Sequence, residues 1–212
     1  YYDDFEQVNM KQGNWLVLAR TKFMLNDLED TLYSQGLYYQ NKFKTNREQD
    51  LYTAVNDWEN LRKGVDINYD QISRISSYMS EKHFEKNCLK YMDKDARHTV
   101  QSLRERMWLK TNDVWYNAFD NAPQKKVRYI RRMRENGEKL NSSPRITLST
   151  IHGVKGGEQD NVVLLTDLSR NTQRNYEQNP DDENRLFYVG ATRTKNHLHI
   201  IRPKDIYKGY KI

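Results

Sequence analysis

The sequence of 212 residues lacks any long apolar run. Its mean hydropathy is −1.04, and the longest uninterrupted aliphatic stretch is Val162–Leu165. A helix that spans a membrane needs roughly 20 apolar residues, so the composition excludes a membrane-spanning protein. The first residues show no charged segment followed by an apolar one, as in a signal peptide. They also lack an initiator Met, so we expect the chain to be part of a longer polypeptide.

Cysteine is almost absent. The single Cys88 cannot form an internal disulfide, which favours a reducing, cytoplasmic location. Histidines do not compensate as metal ligands, because His83 and Cys88 are not at a usual ligand spacing and no cysteine or carboxylate cluster completes a zinc set. We therefore expect no metal site formed by this chain alone.

The dipeptide Gly-Lys is also missing. The phosphate loop G-x-x-x-x-G-K-[ST] needs it, which excludes a self-sufficient nucleoside triphosphatase of the phosphate-loop class. The glycine-rich run Gly153–Gly157 does not replace this loop, because its lysine precedes the glycine pair and no Ser or Thr follows. Asp182 and Glu183 open a predicted helix after Asn-Pro, so they are not the acidic pair that ends a Walker B strand.

Basic residues outnumber acidic ones by 35 to 29, which gives a net charge of +6. This excess favours a polyanionic partner only modestly. The clearest cluster lies on a predicted helix from Pro123 to Gly137, where Lys125, Arg128 and Arg132 share one face. Two interpretations stay open for this face: a solvated surface, or a stripe that contacts phosphates.

The opening segment predicts a β-α-β unit. Trp15–Ala19 is a short apolar run typical of a buried strand, and Thr21 is a plausible N-cap for the helix that follows. Gly36 is expected to close that helix in the left-handed conformation, and Leu37–Tyr39 to resume as a strand. This order predicts a parallel strand pair with a right-handed crossover.

The middle of the chain, residues 43–140, shows helical periodicity and few strand signals, so we interpret it as an all-helical insertion. The α/β pattern returns in residues 141–212. Strands are predicted at 146–151, 161–166 and 198–201, a loop at 169–179, and a helix that starts at Pro180 with Asn179 as its N-cap. The predicted fold is an α/β protein with a parallel sheet flanked by helices, formed by residues 1–42 and 141–212.

Two arginines stand out from their positions alone. Arg193 falls at helical spacing from Leu186, Val189 and Gly190, so it is predicted on the stripe that packs against the sheet. A guanidinium there needs either a neighbouring carboxylate or a ligand phosphate. Arg20 follows a buried strand at the carboxyl edge, where open α/β sheets bind ligands.

Three runs of residues resemble motifs of one family. Leu16–Arg20 resembles motif IV of the UvrD/Rep-like superfamily 1 DNA helicases, Ile146–Glu158 resembles motif V, and Arg185–Arg193 resembles motif VI. The resemblance implies a RecA-like fold. The residues of the motif V run resemble the UvrD/Rep branch more than the RecD/Pif-like branch. This resemblance implies translocation from 3′ to 5′.

The resemblance also implies roles for individual residues. Arg193 would be the arginine finger on the γ-phosphate, Arg20 would reach the same phosphate, and Glu158 would contact the nucleotide sugar. Thr150 and His152 would contact the phosphates of single-stranded DNA. Lys155 would support either ligand or pair with a carboxylate. We accordingly expect the guanidinium groups of Arg20 and Arg193 to meet at the rim of one pocket.

As a whole, the resemblance implies the C-terminal motor half of an ATP-dependent DNA helicase. ATP with Mg²⁺ would bind in a cleft against an N-terminal RecA-like domain, absent from this chain, that supplies the phosphate loop and the magnesium ligands. The chain alone is then expected to be inactive. The alternative is a non-catalytic helicase-like module that binds DNA or protein through the basic helix around Arg128.

Overall fold

The computed structural model describes residues 1–44, 49–139, 142–154, 156–205 and 207–212. The chain forms two compact units. The sheet unit comprises residues 1–46, 132–138 and 143–212, and the helical unit comprises residues 47–131 and 139–142. The division of the sequence at 42/43 and 140/141 into separate domains stays a prediction.

The sheet unit is built on a parallel sheet of five strands in the order β2-β3-β1-β4-β5. The strands are β1 Trp15–Ala19, β2 Tyr39–Asn41, β3 Ile146–Thr150, β4 Gln159–Leu165 and β5 Thr194–Ile201. Every residue of the central strand β1 is buried, as a continuous apolar run in a parallel sheet predicts. The α/β fold with a parallel sheet flanked by helices is confirmed, and it is consistent with a RecA-like architecture.

Helices cover both faces of this sheet, and the alternating side chains of β1 contact both layers of helices. Val17 packs in a cluster with the leucines of α1, Leu25–Gln35. Leu18, one residue on, packs in a second cluster with Phe187 of α8, Pro180–Ala191. Successive side chains of a strand point to opposite faces, so α1 and α8 lie on opposite sides of the sheet.

Two edges of the sheet are needed to locate the functional residues. The carboxyl edge is formed by the residues that follow Ala19, Thr150 and Leu165 at the ends of β1, β3 and β4. The amino edge is formed by the residues that precede Gln159 and Thr194 at the starts of β4 and β5. These starts pair with each other in the ladder, so they lie side by side.

The helical unit has its own core. Its helices are α2 Gln49–Arg62, α3 Tyr69–Ser77, α4 Val100–Glu105, α5 Trp115–Ala118 and α6 Gln124–Glu135, of which the last turn of α6, from Arg132, belongs to the sheet unit. Trp58 is fully buried and its Nε1 donates to the Asp113 carbonyl at 3.1 Å. Trp115 is buried as well. These two aromatics are core residues, as their burial preference predicts.

One predicted loop is wrong. Residues 169–179 were expected to form a polar loop, but Arg170–Gln178 is a helix, α7. Ser169 caps it, because its hydroxyl accepts a hydrogen bond from the Thr172 amide at 3.2 Å. Tyr176 packs against the cluster that contains Phe187. A polar segment becomes helical here because one cap and a few inward side chains suffice, while its charged residues face solvent.

The predicted strand pair needs correction too. β1 and β2 are parallel, but β3 lies between them, so they do not pair. The second strand starts at Tyr39 and not at Leu37, because the Leu37 amide donates to the Leu32 carbonyl and closes α1. Gly36 has a φ of 68° at the end of α1, which confirms the left-handed closure.

Two predicted caps make no side-chain capping bond, and several strand ends also differ. Thr21 makes no capping bond, and a 3₁₀ turn at Lys22–Met24 precedes α1. Asn179 is the N-cap residue of α8, as predicted, but it makes no side-chain capping bond; its side-chain amide donates to Asp182 Oδ2 at 3.1 Å. Pro180 is the first residue of α8, as predicted. β4 and β5 start two and four residues earlier than predicted, because polar residues there pair through the backbone alone.

Candidate functional site

Arg20 lies at the carboxyl edge and has a complete carboxylate partner. Its Nε donates to both carboxylate oxygens of Glu183, at 3.1 and 2.8 Å, and its Nη2 donates to Oε1 at 2.7 Å. The Glu183 side chain is 5% exposed and that of Arg20 is 18% exposed. The pair is therefore largely removed from water, and one edge of the guanidinium is fully occupied.

Glu183 was missed as a functional residue by the sequence analysis, although a signal was present. It lies three, four and seven residues before Leu186, Phe187 and Gly190, which is the spacing of the buried stripe of α8. A carboxylate on such a stripe needs a cation. Asp182, its neighbour, is 73% exposed, so only the second of the two acidic residues turns inward.

Arg193 lies at the amino edge, just beyond the end of α8. Its carbonyl accepts a hydrogen bond from the Gln159 amide at 3.0 Å, which ties it to the start of β4. The side chain is half-buried, and its Nε donates to the Val189 carbonyl at 3.0 Å. Across the described residues, its two terminal nitrogens have no carboxylate partner.

The predicted stripe that would place Arg193 against the sheet is only partly correct. Gly190 does face the sheet, since a Cβ there would lie 3.1 Å from Leu164 Cδ1 and 3.3 Å from Ile151 Cγ2. Val189 is 38% exposed, however, and Arg193 follows the last helical residue, Ala191. The helix ends before the arginine, so its side chain folds back along α8 and does not enter the core.

Arg20 and Arg193 contact α8 at separate points in this structure, and their expected meeting at one rim stays a prediction. Arg20 contacts Glu183 in the first turn of α8, and Arg193 contacts the Val189 carbonyl near its other end. At 1.5 Å per residue, six residues separate these contacts by about 9 Å along the helix axis. The start of β5 lies at the opposite edge of the sheet from the end of β1. The Arg193 side chain, however, folds back to Val189, and the residue after Val189 packs on Ile151 at the carboxyl edge.

Glu158 is the predicted site residue that the structure does bring near Arg193. It is exposed and immediately precedes Gln159, which bonds to the Arg193 carbonyl and pairs with Thr194 in the ladder. The amino edge therefore presents a carboxylate and a half-buried guanidinium on neighbouring strand starts.

Thr150 and His152 lie at the carboxyl edge, in the turn that follows β3. Thr150 is 8% exposed, and its hydroxyl oxygen accepts a hydrogen bond from the Gly153 amide at 3.1 Å. His152 is exposed and starts a 3₁₀ turn. The Ile151 amide donates to the Ala19 carbonyl at 3.1 Å, so this turn is joined to the end of β1. Lys155 lies outside the described residues.

The basic face of α6 is exposed as predicted by its periodicity. Lys125 and Arg128 are exposed residues of the helical unit. Arg132 is exposed as well, in the sheet unit, and donates to the Ser34 carbonyl. Arg131 lies over the ring of Tyr116, 4.5 Å from its centroid. Arg132 thus has a structural partner at the end of α1.

A cavity of about 380 Å³ lies at the carboxyl ends of β4 and β5. Its floor is apolar, and ion pairs between Asp3 and Arg202 and between Asp27 and Lys204 lie among its lining residues. None of the described predicted site residues lines it. Of the proposed ligand contacts, His152 and Glu158 are exposed, whereas Thr150 is buried.

A match to a protein-family model decides which family the chain belongs to. The model of the UvrD-like helicase C-terminal domain matches residues 20–205. The chain belongs to this family. Membership implies nucleic-acid binding and an N-terminal partner domain, and it supports the role of one half of a helicase motor. None of the curated proteins compared with this helicase domain matches it significantly.

Neither a membrane-spanning helix nor a cluster of metal ligands is present in the described part of this helicase domain. Among its described residues, no helix is both long and apolar enough to cross a membrane. Within the same ranges, no three His, Cys, Asp or Glu side chains are grouped so that they could hold a metal ion.

Proposed function

We propose that this domain is the C-terminal motor half of an ATP-dependent 3′ to 5′ DNA helicase. One observation carries the proposal. Arg193 is half-buried at the amino edge, its terminal nitrogens lack a carboxylate partner in the described residues, and exposed Glu158 lies on the neighbouring strand start. A partly desolvated guanidinium without a counter-charge favours binding of an anion.

Arg193 fits the role of an arginine finger. Its donor set suits a phosphate, because a guanidinium offers paired N–H groups that match two phosphate oxygens. A cation at that position stabilises the negative charge that develops as the γ-phosphoryl group is transferred. When bound in the completed cleft, ATP with Mg²⁺ supplies the phosphoryl group, and the N-terminal domain would contribute the phosphate loop and the magnesium ligands. Glu158 would accept hydrogen bonds from the sugar hydroxyls.

The turn after β3 is the proposed contact with single-stranded DNA. His152 is exposed there and can donate to a phosphate oxygen. The Thr150 hydroxyl already accepts from Gly153, so it can still donate its own proton to a phosphate while it holds the turn.

Replacement of Arg193 tests the finger. In the polypeptide that joins this domain to its N-terminal RecA-like domain, Arg193→Ala should lower kcat for ATP hydrolysis by about 10³-fold or more. The dissociation constant for ATP should stay within about threefold, because the finger acts on developing charge. Arg185→Ala is the matched control, since Arg185 is 79% exposed on the same helix. An Arg193→Ala enzyme with unchanged kcat would refute the assignment.

DNA binding separates the motor from the non-catalytic alternative. Exposed Lys125 and Arg128 on α6 favour a module that binds DNA through this helix. If the turn after β3 is the main contact, His152→Ala should weaken binding of single-stranded DNA by about tenfold, whereas Lys125→Ala with Arg128→Ala should change it less. The reverse pattern, with a reduced salt dependence in the α6 variant, would favour the module.

A further inference from the structure

The cavity at the carboxyl ends of β4 and β5 is a candidate binding site that is separate from the predicted site residues. Its volume of about 380 Å³ falls at the lower end of the range of roughly 300 to 1,000 Å³ that is typical of ligand pockets. Its lining residues all belong to the sheet unit. The floor is built from five buried apolar side chains: Phe5, Leu28, Leu165, Leu168 and Ile201. The cavity therefore offers a preformed surface to an apolar group of a ligand.

An exposed aromatic side chain extends this apolar surface to the rim of the cavity. Phe23 lies in the 3₁₀ turn before α1 and is 59% exposed. Met24, the next residue, is half-buried and also lines the cavity. Phe and Met beside a concave apolar surface are typical of protein–protein interfaces. This combination favours a polypeptide as the ligand.

The charge of the cavity is opposite to that of the chain. Five carboxylates and only two basic side chains line it, whereas the chain as a whole has a net charge of +6. Both basic side chains are already paired, because Arg202 donates to Asp3 and Lys204 donates to Asp27, each at 2.9 Å. Among the described residues, three acidic side chains of the lining have no cationic side-chain partner: Asp4, Glu6 and Asp167. The cavity therefore attracts cations and repels the phosphates of nucleic acids.

Asp167 is the carboxylate of this lining with the clearest need for a cation. It is half-buried, and its Oδ1 accepts a hydrogen bond from the Lys204 amide at 2.9 Å. The ammonium group of Lys204 is held by Asp27. Burial raises the pKa of Asp167 in spite of the nearby Lys204 charge. The protein thus stabilises the ionised carboxylate less than water does, and an added cation would compensate for this loss.

We propose that this cavity is a docking site for a basic peptide segment of a partner protein. A basic head group of the segment pairs with Asp167, while its aliphatic stem and an adjacent apolar side chain pack on the floor and against Phe23. Arginine suits this position best, because its planar set of donors matches a carboxylate at two points. A simple polyamine would satisfy the charge but would leave the apolar floor unfilled.

Selection of binding peptides tests the proposal. A displayed library of short random peptides is panned on the 212-residue chain. We expect the enriched peptides to share an arginine or lysine beside an aromatic or aliphatic residue, since this pair of groups matches the acidic wall and the apolar floor. A synthetic peptide of that consensus then serves as the probe in titration calorimetry. Enrichment of acidic or uncharged peptides alone would overturn the proposal.

Variants of the chain locate the bound probe peptide. Asp167→Asn should weaken its binding by about tenfold, because the peptide cation loses a partly buried partner. Asparagine keeps the acceptor for the Lys204 amide, so this variant should fold. Asp30→Asn is the matched control, an equal change of charge on an exposed residue of α1 outside the lining, and it should bind within about twofold of wild type. Phe23→Ala should weaken binding by about fivefold, whereas Tyr91→Ala, at an exposed aromatic residue of the helical unit, should not.

Three results would contradict this docking site. Equal binding to the Asp167→Asn and Asp30→Asn chains would place the peptide elsewhere. Equal binding of spermidine, or of a peptide whose apolar residues are replaced by alanine, would make the cavity a site for simple cations. Binding to the 212-residue chain but not to the polypeptide with both RecA-like domains would mean that the N-terminal domain covers the cavity. None of these readouts depends on ATP hydrolysis, so a failure here leaves the proposed motor function untouched.

Discussion

The two edges of the sheet use the same residue type in opposite ways. At the carboxyl edge, Arg20 is mostly buried and one edge of its guanidinium is paired with Glu183. At the start of β5, Arg193 is half-buried, and its only side-chain hydrogen bond among the described residues is to the Val189 carbonyl oxygen. The comparison teaches that the partner, more than the arginine, indicates the role: Glu183 depends on Arg20 for its counter-charge, whereas Arg193 has donors left for a ligand.

The physical reason is the cost of desolvating charge. A buried pair adds little net stability by itself, but removal of one partner leaves the other charge uncompensated. Removal of Arg193 leaves no unpaired buried charge, because the Val189 carbonyl that it contacts can bind water instead. The two arginines therefore predict different losses for the same substitution.

The largest expected effect is on stability at the carboxyl edge. Arg20→Ala should lower the free energy of unfolding of the chain by about 3 kcal/mol or more, because Glu183 stays buried without its cation. Arg193→Ala should lower it by less than about 1 kcal/mol. Urea unfolding of the 212-residue chain measures both. Equal losses at the two positions would contradict the comparison.

The second effect is the non-additivity of the pair. Arg20→Gln and Glu183→Gln should show an interaction energy of about 2 kcal/mol in a double-mutant cycle, as for contacting residues in one network. The same cycle with Arg185→Gln and Asp182→Asn should give less than about 0.5 kcal/mol, since that pair is exposed. Additive losses for Arg20 and Glu183 would mean that their contact contributes nothing.

A third effect concerns the helix that joins the two edges. Gly190→Leu should destabilise the chain by roughly 1 to 2 kcal/mol, because new side-chain atoms would overlap Leu164 and Ile151. Val189→Leu is the control on the exposed side of the helix and should change stability by less than about 0.5 kcal/mol. A tolerated leucine at Gly190 would show that α8 can shift away from Leu164 and Ile151 without cost.

The smallest effect is a pH dependence at the carboxyl edge, where Asp167 follows β4 without an arginine partner. Burial raises its pKa above the ordinary value of 3.8, against the opposing effect of Lys204. The folded state thus binds the proton of the Asp167 carboxyl group more tightly than the unfolded state does. The stability it contributes is present below pH 3.8 and is lost as the pH rises through the folded pKa.

Asp167→Asn should remove that loss, so the Tm of the variant relative to wild type should rise between pH 3 and pH 7. Asp205→Asn is a control of opposite sign, because a hydrogen bond from Lys208 lowers the pKa of Asp205. Its Tm relative to wild type should fall over the same range. A Tm difference for Asp167→Asn that does not vary with pH would contradict the assigned shift.

Much of the fold follows from local patterns in the sequence. β1 was predicted with its observed bounds because five apolar residues in a row, bounded by polar residues, are typical of a short buried strand. Gly36 and Pro180 marked a helix end and a helix start through backbone restrictions that few other residues share. The strand order was not accessible, because β3, which separates β1 from β2, arrives about a hundred residues later in the chain.

The candidate site was predictable residue by residue, but its arrangement was not. The sequence placed Arg20 at the carboxyl edge, but the motif positions of Arg193 and Glu158 did not indicate which edge these two residues occupy. The sequence did not reveal that Glu183 is the partner of Arg20, because this contact depends on how α8 packs against the sheet. The helix α7 was not predicted for a similar reason. Its only signals are the capping residue Ser169 and the inward Tyr176, and they stand among many polar residues.

The most direct test of the account compares kcat for ATP hydrolysis in Arg193→Ala and Arg185→Ala forms of the polypeptide with both RecA-like domains. The account predicts a loss of about 10³-fold or more for Arg193→Ala and a change within about threefold for Arg185→Ala, because Arg185 is an exposed residue of the same helix. Equal losses in the two variants would contradict it, because the effect would then not be specific to the proposed finger.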